Sequence, residues 1–243
     1  MIGSLISRPE DVAAALEEDP ESFAVQANGV LEGADPLTVL GWAGKAFGKS
    51  LVITASMGDT VLAHLTSRAV PGTDMLFVDT GYHFAETIGT AQAVQHSYPL
   101  RMLSITPKES VQEHEAKRGK LWQTDPDACC AMRKVAPLNN ALRGYRAWAT
   151  GLRRSESASR ANTPIVSWDA KRDLLKLAPI ASWTDEDVEN YQAAHPEVLS
   201  NPLLQLGYRS IGCSTCTRAV APDEDARAGR WAGRAKSECG IHL

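Results

Sequence analysis

The sequence predicts an α/β fold: a mainly parallel sheet flanked by helices, with an irregular, mobile carboxy-terminal tail. Three observations predict it. From residue 50 to about 151, short apolar runs alternate with helical segments, the pattern of parallel strands buried on both faces and joined by crossover helices. Three of those runs end in polar or glycine-bearing loops, as strands do where a sheet offers its carboxyl edge to a ligand. After Ser200 the chain is rich in Gly, Arg and Pro and shows no period.

The elements follow in order. Residues 1–48 read as a helical lead-in. Pro9 starts it, and Val12 and Leu16 with the neighbouring alanines give a weak apolar stripe. Asp35-Pro36 reads as an N-cap with proline at the first helical position, opening a helix that carries Leu37, Leu40, Ala43 and Phe47 and stops near Gly48. Residues 49–216 are the core. Strand Ser50–Ala55 leads to helix Asp59–Ala69, strand Asp74–Asp79 to helix Phe84–His96, and strand Leu100–Ile105 to a helix after Pro107. Lys117–Asp127, with its Lys, Gly, Asp and Pro, reads as a loop, Ala128–Leu142 as a helix and Arg146–Gly151 as a strand. Pro164–Trp168 and Asp173–Leu177 are short strands that can pair, and Thr184 with Asp187 is a capping-box variant opening a helix to about His195. Residues 217–243 form the tail, and 1–243 reads as a single domain.

Composition narrows the function classes. The chain has 243 residues, 44% apolar and 22% charged, which is ordinary for a globular protein and excludes collagen-like or wholly disordered chains. Its longest apolar runs fall far short of the ~20 residues that cross a bilayer. A net charge of −4 argues against a nucleic-acid coat or a polybasic membrane surface, so neither partner is expected. Met1–Glu18 lacks the apolar core of an export signal. The expected compartment is the cytoplasm, where thiols serve as ligands or reagents rather than staples.

There are five cysteines, at 129, 130, 213, 216 and 239. Cys213-Ser214-Thr215-Cys216 can point two sulfurs at one centre, and Cys129-Cys130 can place two thiolates on one multi-metal cluster. Spacing leaves zinc, a [4Fe–4S] cluster and two unrelated buried pairs open, and the adjacent pair favours iron–sulfur over zinc. Arg133 and Lys134 follow by one helical turn, where a cation offsets thiolate charge, although alone they read as a solvated basic pair. Cys239 lies close in sequence to Arg234 and Lys236, cations that favour a thiolate; alone it also reads as an incidental terminal cysteine. The loop Ser56-Met57-Gly58-Asp59-Thr60, between strand and helix, is suited to a phosphate but also fits an ordinary turn. Asp79-Thr80-Gly81 is a similar edge loop. Gly151-Leu152-Arg153-Arg154 with Arg160, and Arg227 with Arg230, are local arginine clusters on an acidic chain. They suit a phosphate- or sulfate-bearing small molecule, or plain surface solubility.

Taken together these motifs resemble the assimilatory sulfonucleotide reductases, and within them the iron–sulfur adenylyl-sulfate reductases, from about Ser50 to Leu243. The likeness is carried by Cys129-Cys130-Ala131-Met132-Arg133-Lys134-Val135-Ala136-Pro137-Leu138, by Ser210-Ile211-Gly212-Cys213 through Cys216-Thr217, and by the ending Glu238-Cys239-Gly240-Ile241-His242. Val78-Asp79-Thr80-Gly81, Gly151-Leu152-Arg153-Arg154 and Trp183-Thr184 add to it. The resemblance implies an adenine nucleotide α-hydrolase-like fold with a modified pyrophosphate loop at Ala55–Thr60. It implies a [4Fe–4S] cluster on Cys129, Cys130, Cys213 and Cys216, with Cys239 as nucleophile and Lys134 and His242 beside it. Substrate contacts fall on Ser56, Gly58, Asp59, Thr60, Asp79, Thr80, Gly81, Gly151, Arg153, Arg154, Arg227 and Arg230. The implied reaction reduces adenosine 5′-phosphosulfate (APS) with thioredoxin as donor, through an S-sulfocysteine on Cys239, in cysteine biosynthesis. A homo-oligomer stays open.

Two departures stand out: Ala55-Ser56-Met57-Gly58-Asp59-Thr60 replaces a Ser-Gly-Gly-x-Asp-Ser loop, which fits loss of ATP pyrophosphatase chemistry, and Asn201-Pro202-Leu203 replaces a frequent His-Pro-Leu. The rivals are a reductase for the 3′-phosphorylated substrate (PAPS) or for both substrates, an ATP-pyrophosphatase or thiolation enzyme, and a non-catalytic iron–sulfur sensor. The cluster cysteines disfavour the first, the altered loop the second, and an unused Cys239 the third.

Overall fold

β1 (Leu51–Thr54), β2 (Asp74–Val78), β3 (Arg101–Ile105), β4 (Ala147–Thr150), β5 (Val166–Asp169) and β6 (Leu174–Leu177) form one sheet in the order β3-β2-β1-β4-β6-β5. Every neighbouring pair is parallel except the edge pair β5–β6, which is antiparallel. The structure, a computed structural model, describes residues 8–234, 236 and 238–242. The first seven residues of the expected lead-in therefore lie outside the described residues.

Side chains alternate across the sheet, and this alternation splits the core in two. Leu51, Ile53, Met75, Phe77, Ala147, Ala149, Leu175 and Leu177 face one layer, while Val52, Leu76, Trp148 and Leu174 face the other. The first layer is covered by α1 (Pro9–Glu18), α2 (Pro20–Leu31), α3 (Pro36–Phe47), α4 (Val61–Ala69) and α5 (Ala85–Ser97), so the lead-in packs into the same core as the sheet. Asp19-Pro20 divides the lead-in: the proline has no N–H to continue α1, and the Asp19 carboxylate accepts from Ser22 N at 3.0 Å to open α2.

Past β3, the stretch read as a loop at Lys117–Asp127 holds more helix than expected. α6 (Val111–Arg118) ends at Gly119 with φ 68°, α7 (Leu121–Thr124) follows, and Asp125 caps α8 (Pro126–Cys130) through Ala128 N at 2.9 Å. The helix expected over Ala128–Leu142 is not uniform. Ala131–Val135 is a π-helical turn before α9 (Ala136–Leu142). Pro137 is the physical reason: it offers no N–H to the carbonyl four residues back, and its ring crowds that carbonyl, so the preceding turn widens. α10 (Asp185–Ala194) opens on the expected capping box between Thr184 and Asp187.

The crossovers through α4 and α5 lay β2 and β3 on one side of β1, whereas the long return through α6–α9 places β4 on the other. The sheet's switch point thus lies between the carboxyl ends of β1 and β4. The tail is irregular, as expected, but its described residues are docked. Trp231 N donates to Cys216 O at 3.0 Å, Arg234 to Gln123 O at 2.6 Å, and Ile241 packs against the second core layer between sheet and α9.

Candidate active site

The loop after β1 borders the switch point. Ser56 is exposed at its rim, and Met57 is buried in the core. Asp59 accepts from Val61 N at 3.0 Å and so caps α4; burial pushes its carboxyl up, partly offset by that bond and by the Arg153 charge. Thr60 precedes α4 in the left-handed region, at φ 50°. The loop after β4 faces it. Gly151 is exposed there, Arg153 is buried against Asp185 at 2.6 Å, and Arg154 holds Glu32 at 2.8 Å and Thr163 O at 2.8 Å. Arg154 is the expected contact that these bonds draw toward α2 rather than toward the tail.

The loop after β2 does something else. Asp79 accepts from Gly81 N, and Gly81 must be glycine on two counts: its φ is +76°, and a Cβ there would meet Val111. Thr80 is buried and its hydroxyl lies 3.2 Å from Cys213 Sγ. This loop therefore joins the cysteines to the sheet edge.

All five cysteines are free thiols. Cys129 and Cys213 pack with Tyr82, Val111, Leu121, Trp122 and Cys216. Burial, together with the neighbouring Cys130, Cys213 and Cys216, pushes the Cys129 thiol up to about 12. Three sulfurs thus share one apolar shell, and Cys130 lies near enough to act on the Cys129 thiol. Among the described residues no three His, Cys, Asp or Glu side chains close on a point that would hold a lone metal ion. Cys129, Cys130, Cys213 and Cys216 are the residues that could hold a metal cluster, whose four thiolates sit on separate corners.

Arg133 and Lys134 are not the solvated pair that their sequence context suggests; both are buried. The π-turn carries Arg133 over the Tyr82 ring and onto Thr80 O at 2.7 Å. Burial alone would lower the Lys134 ammonium, but Cys213, Cys130 and Cys239 outweigh it and keep it charged. Burial lowers Arg230, whose guanidinium stacks 4.5 Å over Trp231, and Cys239, Cys213 and Cys130 pull it back up. A Cβ at Gly212 would collide with that guanidinium, so the glycine before Cys213 makes room for it. The structure therefore brings Cys130, Cys213, Lys134, Arg230 and Cys239 together.

The tail is held by ion pairs. Arg160 donates to both Glu238 oxygens, at 2.9 and 2.8 Å, and Arg227 reaches the same carboxylate at 3.1 Å. Arg172 donates to Ile241 O at 2.9 Å, and His242 stacks on Trp148 with ring centroids 5.5 Å apart. Burial and the cations Lys176, Arg160, Arg172 and Arg227 hold His242 well below the ordinary imidazole range, so the ring is neutral, and its buried Nδ1 has no partner among the described residues. Arg160, Lys176, Glu238 and His242 line a cavity of about 200 Å³. Sequence motifs point to Arg160 and Glu238 through their neighbours, whereas Arg172, Lys176 and Trp148 carry no such signal and emerge only from the fold.

Residues 50–219 match the family model described as the phosphoadenosine phosphosulfate reductase domain. The adenosine 5′-phosphosulfate reductase of Streptomyces coelicolor is 55% identical over 93% of this chain and 95% of that protein. The protein of the same description from Mycolicibacterium smegmatis is 46% identical over 96% and 99%. Among solved structures, the phosphoadenylyl-sulfate reductase of Candida auris, a phosphate complex, superposes with a TM-score of 0.70 at 29% identity over 81% of this chain and 97% of that one. The FMN adenylyltransferase of Candida glabrata, with a TM-score of 0.53 at 12% identity over 89% and 75%, shares the fold.

Proposed function

This chain belongs to the phosphoadenosine phosphosulfate reductase domain family, and from that premise we propose that it reduces APS to sulfite and AMP in sulfate assimilation, with Cys239 as nucleophile and thioredoxin as electron donor. The observation that carries the reading is the docked tail: Arg160 and Arg227 hold Glu238, and the adjacent Cys239 lies near enough to act on the charges of Lys134 and Arg230. The first step joins the Cys239 thiolate to the sulfur of APS. The S–O bond to phosphate breaks, AMP leaves with the electron pair, and Cys239 carries an S-sulfo group. A thiolate of the donor then attacks Cys239 Sγ and expels sulfite with the pair. The donor's second thiol resolves the mixed disulfide, so two electrons pass from dithiol to sulfite.

Both substrate and nucleophile are anionic, and Lys134, Arg227 and Arg230 are the cations placed to offset their repulsion. Cys129, Cys130, Cys213 and Cys216 would hold a [4Fe–4S] cluster. Such a cluster, with its four thiolates, would be anionic overall, and its chemistry there would be to hold Lys134 in place, whose cation would offset that charge and polarise the sulfate end of the substrate. Lys134, buried with Cys130 and Cys239 near enough to act on its charge, would couple that site to the nucleophile.

Protein purified without air and given thioredoxin is expected to release AMP and sulfite from APS, and to turn over PAPS poorly. Cys239→Ser is expected to release no sulfite and to keep no label from [³⁵S]APS on the protein. Full turnover by Cys239→Ser removes the nucleophile assignment, and PAPS rates equal to APS rates move the reading to a dual-specificity enzyme.

A further inference from the structure

We infer that Asn201 is the positioning residue of the loop after β1, and that it sets the affinity of the nucleotide site from outside it. Asn201 is 1% exposed and bonded on every side. Its main-chain N–H donates to Gly58 O at 2.8 Å, and its Nδ2 donates to Met57 O at 3.0 Å and to Thr87 Oγ1 on α5 at 3.1 Å. Its Oδ1 accepts from Leu203 N at 3.1 Å. One side chain thus ties the loop after β1 to the helix after β2 and to the chain that runs on to Cys213.

The loop needs such a tie. Met57 (φ 58°) and Thr60 (φ 50°) both lie in the left-handed region, where a side chain is strained unless its surroundings impose it. Neither is a glycine that would take the conformation freely. The same segment grips both ends of the strained turn. Asn201 takes the carbonyls of Met57 and Gly58, while Thr60 Oγ1 donates to Leu199 O at 2.5 Å and Leu199 N donates to Tyr98 Oη at 2.9 Å.

A loop binds an anion with N–H groups and repels it with carbonyl oxygens. Asn201 commits two consecutive carbonyls to itself, so neither Met57 O nor Gly58 O can turn toward the crevice. Its effect on affinity rests on the reading of this crevice as an adenylyl-sulfate site; its hold on the loop does not.

The test compares wild type, Asn201→Ala, Asn201→Ser and the milder Thr87→Val. Amide hydrogen exchange of the peptide covering residues 55–61, AMP affinity by calorimetry, and KM and kcat for APS are measured for each. Asn201→Ala is expected to speed exchange in that peptide about tenfold, the factor that one net hydrogen bond is worth. AMP Kd and APS KM rise by a similar factor while kcat at saturation changes less than about threefold. Asn201→Ser gives a smaller effect in the same direction, and Thr87→Val gives about a twofold effect from the loss of one acceptor. Should Asn201→Ala fail to fold, those two variants decide alone. Loop exchange unchanged from wild type overturns the inference, and so does a loosened loop with AMP Kd and APS KM unmoved. Wild type that binds neither AMP nor APS would remove the functional reading instead, leaving exchange to decide whether Asn201 holds the loop.

Discussion

Glu238→Gln is expected to free the tail and expose Cys239. The carboxylate takes two N–H···O bonds from Arg160 and a third contact from Arg227, and the three side chains are only 11–15% exposed. Charge-assisted bonds of this kind contribute about 1.5–3 kcal/mol each, and removing one partner of a buried pair costs about 3–5 kcal/mol. Glutamine keeps the shape and one acceptor but sets an amide N–H₂ against a guanidinium. A net loss of about 2 kcal/mol is therefore the low end, which is ~30-fold in the ratio of free to docked tail. The assay is alkylation of Cys239 by iodoacetamide, read on the carboxy-terminal peptide by mass spectrometry. Alkylation should quicken by up to about 30-fold, saturating once most tails are free. Burial alone would raise the Glu238 carboxyl, but Arg160 and Arg227 outweigh it and hold it below its usual range. A depressed carboxylate stabilises the docked state above its free value and loses that stabilisation only as pH falls through the depressed one. The difference between variant and wild type should accordingly hold steady from pH 6 to 8 and shrink only in acid, below about pH 4. Glu224→Gln, in the exposed pair with Arg218, is the control and should change nothing. A Glu238→Gln rate within about twofold of wild type would show that the ion pairs do not hold the tail.

Arg227→Ala should weaken APS binding or turnover more than Arg118→Ala, whose guanidinium engages Glu109 on α6's flank; equal small effects in steady-state assays would count against the tail arginines. At the opposite, amino end of the strands, Asp74 accepts from Arg101 at 2.5 Å and from Tyr145 Oη at 2.6 Å. Burial would raise Asp74, yet these partners hold it below its usual range, while burial and the Asp74 carboxylate push Tyr145 up to about 12. Because Arg101 is largely exposed, Asp74→Asn should cost only about 1–2 kcal/mol at pH 7, or roughly 2–8 °C in Tm, and the cost should fade below about pH 4. The same loss at pH 3 in thermal unfolding would refute the assignment.

The parts of this fold that were legible from residues are those set by local rules. Residues 51–53 and 75–78 are apolar because both faces of a parallel strand are buried, and Asp35-Pro36 and Thr184 with Asp187 cap helices through their own side chains. Lys117–Asp127 misled because its Gly, Lys and Pro are helix punctuation as well as loop residues: Gly119 closes α6 and Pro126 opens α8. Arg133 and Lys134 misled for a different reason. A basic pair on a helix is usually solvated, and only the widened turn before Pro137 with Tyr82 and the cysteines across from it makes burial tenable.

The candidate site divides the same way. The five cysteines stand out in the sequence by their spacing, and the structure gathers Cys129, Cys213 and Cys216 in one apolar shell with Cys130 beside it, and brings Cys239 near Lys134. What holds them in place does not stand out. Arg172 and Lys176 sit at the edge hairpin and reach the tail only because β6 lies beside β4, a pairing between segments some thirty residues apart. Asn201 is the extreme case. A short polar residue before a proline reads as an ordinary cap, and it does cap Leu203; its other three bonds run to Met57, Gly58 and Thr87, more than a hundred residues away. A cap is chosen by its neighbours in sequence and a clamp by its neighbours in space, and one asparagine meets both demands because its amide donates and accepts at the same time.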